Sequence, residues 1–226
     1  LIYENILAAK FLSRPNRFVA NIEIDGEKHV CHVKNTGRCR ELLIPGADIF
    51  VQKSENPARK TKFDLISVYK GERLVNIDSQ IPNKVFEEWI RDGNLYNSIS
   101  SIRPECKYGS SRFDFYIEAD GKQTYVEVKG VTLELGKVAM FPDAPTERGV
   151  KHINELKNAV SEGYSALIVF IIQMENVKYF TPNVKTHKAF ADALKDAYMH
   201  GVKVLALDCQ VTANSIVALN EVEVRL

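Results

Sequence analysis

The sequence predicts a mixed α/β protein in two parts: an all-β barrel over residues 1–80, then a domain over residues 81–226 whose elements run αβββαβαβ. Three observations carry this prediction. The first 80 residues alternate apolar and polar positions between turn dipeptides and show no helical period. The first amphipathic helical pattern starts at Pro82. The runs "YSALIVFIIQ" and "VKVLALDC" each follow a helical pattern and are apolar throughout, as strands buried on both faces are.

Residues 17–34, "RFVANIEIDGEKHVCHVK", alternate around Asp25-Gly26 and read as a β-hairpin. "GADIFVQKS", "KFDLISVYKG" and "ERLVNID" continue the rhythm, giving about five strands. An OB-fold meets that description, and an SH3-like barrel would look similar. "PNKVFEEWIRDG" is a short helix with Pro82 at its start and Gly93 past its end. Three strands follow, "SIRPECKYG", "SRFDFYIEAD" and "QTYVEVKGVTL", the last two joined through Asp120-Gly121. "TERGVKHINELKNAVSEG" is an amphipathic helix with Thr146 as N-cap, Gly163 as stop, and Val150, Ile153, Leu156 and Val160 as its apolar stripe. "THKAFADALKDAYMHG" is a further helix.

Composition bounds the partners. Apolar content of 45% and charged content of 26% are ordinary for a soluble protein. No apolar run approaches the roughly 20 residues of a membrane span, so no membrane partner is expected. The opening "LIYENILAAK" shows no secretory leader, and Cys31, Cys39, Cys106 and Cys209 are scattered without C-x-x-C spacing. A cytoplasmic protein with reduced thiols is expected. The net charge of +1 announces no polyanionic partner, but residues 10–40 hold seven Lys/Arg against three acids, a local basic patch.

The candidate chemistry lies in "SRFDFYIEADGKQTYVEVKG". Glu127 and Lys129 share one strand face, and Asp114 lies on the adjoining strand of the hairpin. Two carboxylates at close range repel and are costly to bury unpaired; a divalent cation such as Mg²⁺ removes that cost. Lys129 beside it could orient a water or stabilise charge in phosphodiester hydrolysis. A plain surface hairpin, with Lys129 neutralising Glu127, fits the same residues. On the helix from Pro82, Glu87 and Glu88 flank the apolar face equally, and periodicity does not choose between them as a further ligand. On the later helix, Arg148, Lys151 and Glu155 form a polar stripe with His152 at its border. That stripe suits phosphates, or is an exposed face with a Lys151–Glu155 pair.

The pattern D-x12-E-V-K between helices resembles the PD-(D/E)xK restriction-endonuclease-like nucleases, whose core order is αβββαβ. The resemblance implies Asp114 and Glu127 as metal ligands, the Val128 carbonyl as a third, and Lys129 as the catalytic lysine. More broadly, "SRPNRFVA", "CHVKNTGRCRELLIPGA", "IPNKVFEEWIRDG", "YGSSRFDFYIE", "YVEVKGVTLELGKVAMFPDAPTERGVKHINEL" and "FIIQ" are similar to the sugar fermentation stimulation protein A family across nearly the whole chain. That resemblance implies an OB-like domain, an endonuclease-like domain, Mg²⁺ or Mn²⁺ as cofactor, and non-specific DNA binding with a role in regulating maltose metabolism. It favours Glu88 as the helix acid. The family's common "EVKN" is "EVKG" here, with Gly130 in place of Asn.

In the barrel, the resemblance casts Arg14, Arg17, Lys34, Arg38 and Arg40 as a track for phosphates, with Asn35-Thr36-Gly37 as a tight polar turn. Phe18 and Phe50 read as core at least as readily as stacking residues. Arg148, Lys151 and His152 extend the nucleic-acid surface. The expected function is a metal-dependent nuclease on DNA, with RNA within its range and homo-oligomerisation left open. A non-catalytic DNA-binding regulator and a phosphoesterase of small substrates are the alternatives.

Overall fold

The computed structural model describes residues 1–35 and 37–226; Thr36, part of the expected Asn35-Thr36-Gly37 turn, lies outside the described residues. The N-terminal strands are β1 (Ile6–Asn16), β2 (Val19–Ile24), β3 (Glu27–Val33), β4 (Asp48–Lys53), β5 (Phe63–Lys70) and β6 (Arg73–Asn76). They lie in the order β3-β2-β1-β4-β5-β6, and a parallel pairing of β3 with β5 closes the first five into a barrel. Closure leaves no free edge among them. Inward positions alternate as the pleat requires, with Phe11, Ala20, Ile22, Cys31, Val33, Ile49, Val51 and Leu65 buried. Asp25 (φ 51°) and Gly26 (φ 83°) are the two left-handed residues between Ile24 and Glu27, the geometry a two-residue hairpin demands.

The five expected strands included β6 and omitted β1. β1 is long, carries Pro15 and the pair Ala8-Ala9, and is irregular between Phe11 and Asn16, so its alternation is weak. That irregularity lets its first half pair with β4 and its second half with β2.

The second domain contains α1 (Pro82–Arg91), β7 (Ile99–Tyr108), β8 (Ser111–Ala119), β9 (Lys122–Val131), β10 (Leu133–Leu135), β11 (Val138–Phe141), α2 (Glu147–Ser161), β12 (Ser165–Ile172), β13 (Tyr179–Pro182), α3 (Lys188–Met199), β14 (Lys203–Val211) and β15 (Ile216–Glu221). Its main sheet runs β15-β14-β12-β9-β8-β7, parallel at its centre and antiparallel at both edges. The small β10-β11-β13 sheet and β15 were not foreseen; the three strands of the small sheet have three or four residues, too short to show a period, whereas β15 has six.

α1 covers one face of the sheet through Val85, Phe86, Trp89 and Ile90, packed with Phe115, Val126, Val128 and Val169. α2 and α3 cover the other through Ile153, Leu156, Phe190 and Leu194, and this apolar layer continues into the barrel interior. The Thr146 hydroxyl caps α2, accepting from the Gly149 N–H (3.1 Å).

Beside that shared apolar layer, the junction carries a set of buried, hydrogen-bonded polar groups. Gln173, 1% exposed, donates from Nε2 to Asn76 Oδ1 (2.9 Å) and to the Asp78 carbonyl (3.0 Å). The Asn76 N–H donates to the Gln173 carbonyl (2.9 Å), and Asn76 Nδ2 donates to Tyr3 (3.0 Å). Glu134 of β10 receives Lys70 (2.8 Å) and Arg73 (3.2 Å) from the barrel. Replacing Gln173 with Leu, of similar size, should destabilise the protein by about 1–2 kcal/mol, because buried acceptors lose their donor. Urea unfolding checks this, and an unchanged midpoint would mean that the amide carries no part of the docking.

Asp64, on β5, is 4% exposed and receives Arg59 Nη1 (2.8 Å) and Nη2 (2.5 Å), with Lys34 Nζ at 3.3 Å. Burial pushes its carboxyl up, but the Arg59 hydrogen bonds and the Lys34 charge together outweigh burial and hold it below the usual range. A depressed acid contributes stability above its unfolded pKa and loses it as pH falls through the folded one. Arg59→Ala should therefore cost about 2 kcal/mol near pH 7. The deficit should shrink as pH falls below the ordinary Asp value; a deficit constant down to pH 3 would refute the linkage.

Candidate metal and nucleic-acid site

Glu127 occupies the centre of β9, between β8 and β12, and is 2% exposed. Oε1 accepts from Lys129 Nζ and lies 2.6 Å from His152 Nδ1. His152, on α2, is 4% exposed and has Arg148 Nε 3.3 Å from its Nε2. Both contacts are satisfied when Nδ1–H donates to Glu127 and Nε2 accepts from Arg148. Burial pushes the Glu127 carboxyl up; the His152 hydrogen bond and Lys129 outweigh it and hold the group below the usual carboxylate range. Its other oxygen, Oε2, is buried with no hydrogen-bond partner.

Asp114 sits where two strands part. β8 pairs with β9 only as far as Phe115↔Val126. The alternation breaks there: Phe113 packs with Tyr125 and His152 on the α2 side, whereas Phe115 packs on Phe86 of α1. The Val128 N–H donates to Asp114 Oδ2 (2.7 Å), and Asn83 Nδ2 donates to Oδ1 (2.9 Å). Burial and the Glu127 charge raise the Asp114 carboxyl, against the opposing pull of Val128 and Asn83. The two acids are thus close enough to repel, and one is shifted up while the other is shifted down.

Among the described residues no three His, Cys, Asp or Glu side chains converge as a ready cage for a metal. Two carboxylates are nonetheless what Mg²⁺ commonly takes, completed by water and phosphate. The unpartnered Glu127 Oε2 is the atom such an ion would satisfy. Glu88 is not brought to the cluster: it is half-exposed and lies 2.7 Å from the amino group of Leu1, while Glu87 pairs with Arg91 (2.7 Å). The first turn of α1 faces the site, and Glu87 and Glu88 lie about 6–8 Å further along the axis. The residue that the helix contributes is Asn83, which sequence reasoning missed because a polar residue in a first turn looks like ordinary helix initiation. Val128 is buried, and its N–H is taken by Asp114.

His152 is placed differently from the phosphate contact expected of it. It belongs to the Glu127 cluster, because the apolar face of α2 turns it inward onto Phe113. Arg148 and Lys151 are exposed and, with Lys107 and Arg112, line a cleft of about 650 Å³ that reaches His152.

The barrel cations divide into two groups. Arg14 donates from Nη1 to the carbonyls of Gly37 and Arg38 (2.9 Å each), and from Nη2 to those of Arg17 (2.7 Å) and Asn35 (2.6 Å). Its terminal N–H groups are spent on holding a loop. Lys34 is paired with Asp64 and Asp78 (3.3 Å each). Arg17, Arg38 and Arg40 are exposed, have no carboxylate partner among the described residues, and share a cleft of about 480 Å³. Phe18, read as core at least as readily as surface, is 46% exposed, and Phe50 is half-buried against Tyr69.

Gly37 lines both this cleft and a smaller one, about 150 Å³, whose walls include Gly130, Thr132, Asp143 and Gln173. A Cβ on Gly37 would sit 2.5 Å from Asp143 Oδ2, and one on Gly130 would sit 2.6 Å from Gln173 Oε1 and 2.8 Å from Pro82 Cγ. The two glycines let the domains close up, and Gly130 is the neighbour of Lys129. The cleft of the free arginines thus borders, through Gly37, the cleft at the domain junction that Gly130 lines.

A closed OB-like barrel joined to a mixed α/β sheet domain defines a class of two-domain proteins, and residues of both parts match one family. Residues 12–77 match the SfsA N-terminal OB domain, and residues 80–215 match the sugar fermentation stimulation protein RE domain. The chain belongs to the sugar fermentation stimulation protein (SfsA) family. It is 59% identical over 224 residues to the sugar fermentation stimulation protein homolog of Desulfitobacterium hafniense (strain DSM 10664 / DCB-2), covering 99% of this chain and 98% of that one. It is 57% identical to the homolog of Clostridium beijerinckii, covering 99% of each. The structure of Pyrococcus furiosus SfsA in complex with Ca²⁺ superposes with a TM-score of 0.91 at 31% identity, covering 100% of this chain and 98% of the other.

Asp114→Asn should leave stability unchanged or raise it without metal, since an amide oxygen still accepts the Val128 N–H and the repulsion from Glu127 is gone. Asp114→Ala should cost about 1–3 kcal/mol, because it strands that buried N–H. Denaturation of both variants in chelator checks the order; equal losses would show that Asp114 does not hold the strands.

Proposed function

We propose that this protein is a metal-dependent phosphodiesterase acting on DNA, with Asp114 and Glu127 holding a divalent cation and Lys129 assisting at the scissile phosphate. The observation that carries this reading is Glu127 Oε2: a buried, unpartnered carboxylate oxygen beside a second repelling acid. The fold leaves Glu127 Oε2 unused, and for the Val128 N–H it needs an acceptor at position 114 but no charge. A structural ion pair would have been complete with Lys129 alone.

Mg²⁺ or Mn²⁺ fits the two hard carboxylates, and the Ca²⁺ in the Pyrococcus furiosus structure is of the same oxygen-seeking kind. Bound there, such an ion supplies Lewis-acid stabilisation and a more acidic water. The chain's own residues do the rest. His152 fixes the Glu127 carboxylate from the α2 side, and Asn83 and the Val128 N–H fix Asp114 from the α1 side. Lys129 is an ammonium, so its role at phosphate is to hold a substrate oxygen and stabilise its growing charge. Arg17, Arg38 and Arg40 on one side, and Arg148 and Lys151 on the other, provide cations for the backbone that enters and leaves.

Glu127→Gln should abolish cleavage of DNA in Mg²⁺ or Mn²⁺ while leaving DNA binding intact or tighter, since a negative charge beside a polyanion is removed. Lys129→Ala should also abolish cleavage but weaken binding slightly. Gel assays on single-stranded, duplex and branched substrates decide; cleavage that survives Glu127→Gln refutes the assignment, and a wild type that cuts nothing leaves a binding protein. Binding itself should weaken with salt, and replacing both Arg38 and Arg40 with Ala should flatten the log–log slope by about 1.8 if each meets one duplex phosphate. An unchanged slope would move the surface to Arg148 and Lys151.

A further inference from the structure

Arg17 and Phe18 form the tip of the turn between β1 and β2. The backbone there is held from three sides. The Phe18 N–H donates to Asn16 Oδ1 (2.9 Å), the Phe18 carbonyl accepts the Val33 N–H (2.8 Å), and the Arg17 carbonyl accepts from Arg14 (2.7 Å). The side chains are not held inward. The Phe18 ring is 46% exposed, whereas Phe11 and Phe63 of the same barrel are 1% and 7% exposed. The Arg17 guanidinium carbon lies 4.8 Å from the centroid of the Phe18 ring.

An anchored turn that displays an aromatic ring beside a cation is not required by the barrel, whose core is complete without it. Arg17, beside the ring, lines a cleft with Arg38 and Arg40, and Gly37 is shared between that cleft and the one at the domain junction. The turn between the first two strands is also one of the places where OB barrels hold oligonucleotides. We infer that Phe18 is a stacking platform for an unpaired base, so that the barrel cleft selects a single-stranded segment of nucleic acid over duplex.

The inference rests on the nucleic-acid reading above and adds the substrate's strandedness. Every base has a π-face, so the contact is tolerant of sequence, and the neighbouring guanidinium adds attraction to both ring and phosphate. In a duplex each base face is already stacked on its neighbour, and the same ring has nothing to meet unless it wedges a base step apart. Arg38 and Arg40 would carry the phosphates on either side.

The test is binding of a fluorescein-labelled oligo(dT) and of a duplex of equal length, in chelator so that nothing is cut. Phe18→Ala should weaken oligo(dT) binding about 5- to 150-fold, leave its salt slope unchanged, and alter duplex affinity by less than about twofold. Phe18→Trp should restore oligo(dT) binding and give an emission quenched on addition of DNA; Trp89, the chain's own tryptophan, is 7% exposed and would contribute a steady background. Unfolding curves of the variants confirm that an exposed turn residue has been changed and not the barrel. An unchanged oligo(dT) affinity in Phe18→Ala overturns the inference and leaves DNA binding standing. An equal loss on duplex also overturns it, because the ring would then be a groove wedge. A wild type that binds neither probe overturns both this inference and the nucleic-acid reading beneath it.

Discussion

The hydrogen bond from the Val128 N–H to Asp114 is the contact on which the geometry of the site depends. At a regular sheet position that N–H would bond to a strand carbonyl. Here β8 has left β9 after Phe115, and a carboxylate takes the carbonyl's place. The exchange opens the sheet without leaving a buried donor unpaired. It also fixes an acid one residue from Glu127, on a backbone held by β12 on its other side. The strand separation lets Phe113 and Phe115 face opposite layers, so each layer keeps an aromatic anchor beside the gap. Asp114 is thereby a structural acceptor as well as a member of a repelling pair, and under the proposed function a conflict between stability and function would fall on Asp114–Glu127.

Around that pair the two helical layers play different parts. The α1 layer presents a neutral amide, Asn83, which leaves the Asp114 charge largely uncompensated. The α2 layer presents His152, backed by Arg148, which with Lys129 stabilises Glu127 as an anion. The outcome is one carboxyl shifted up and one shifted down on neighbouring strands. Burial combined with a specific charge partner perturbs acids in this way at functional sites and in structural ion-pair networks alike. Gln173 ties the same neighbourhood to the barrel: it bonds to Asn76 and Asp78, and its Oε1 occupies the space a side chain at position 130 would take. Glycine at position 130 therefore suits the close packing of Gln173 and Pro82 at this junction.

Much of this was legible in the sequence, for definable reasons. The two Asp-Gly hairpins, the Thr146 cap and the buried runs of β12 and β14 are local signals, and each falls where read. Asp114, Glu127 and Lys129 were found because charge in an apolar strand pattern is expensive and visible. β1 was missed because its irregularity blurs the period, and Asn83 because its partner is 31 residues away. The places of Glu88 and Phe18 were left open by the sequence for related reasons. A helical wheel gives the angle of a residue but not which end of the helix meets the site, and an aromatic flanked by polar residues at a turn has the same local pattern whether it is core or displayed. His152 shows the complementary limit: a border position on the wheel became buried once Phe113 supplied a surface for it.

The same reasoning explains why net charge says so little about this protein. Its total of +1 sums cations of two kinds. Arg14, Lys34, Arg59, Lys70 and Arg73 are engaged with carbonyls or buried carboxylates, and their charge is spent on holding the barrel together and onto its neighbour. Arg17, Arg38 and Arg40 have no carboxylate partner among the described residues and lie together, and Arg148 and Lys151 are exposed on the α2 side. A polyanion responds to the local field of such groups, which is screened within about 8 Å at physiological salt. The exposed cations therefore form two local groups that the global sum conceals. Acids stand among them, Asp143 beyond Gly37, Glu147 beside Arg148, and the pair Asp114–Glu127, whose charge a divalent cation would neutralise.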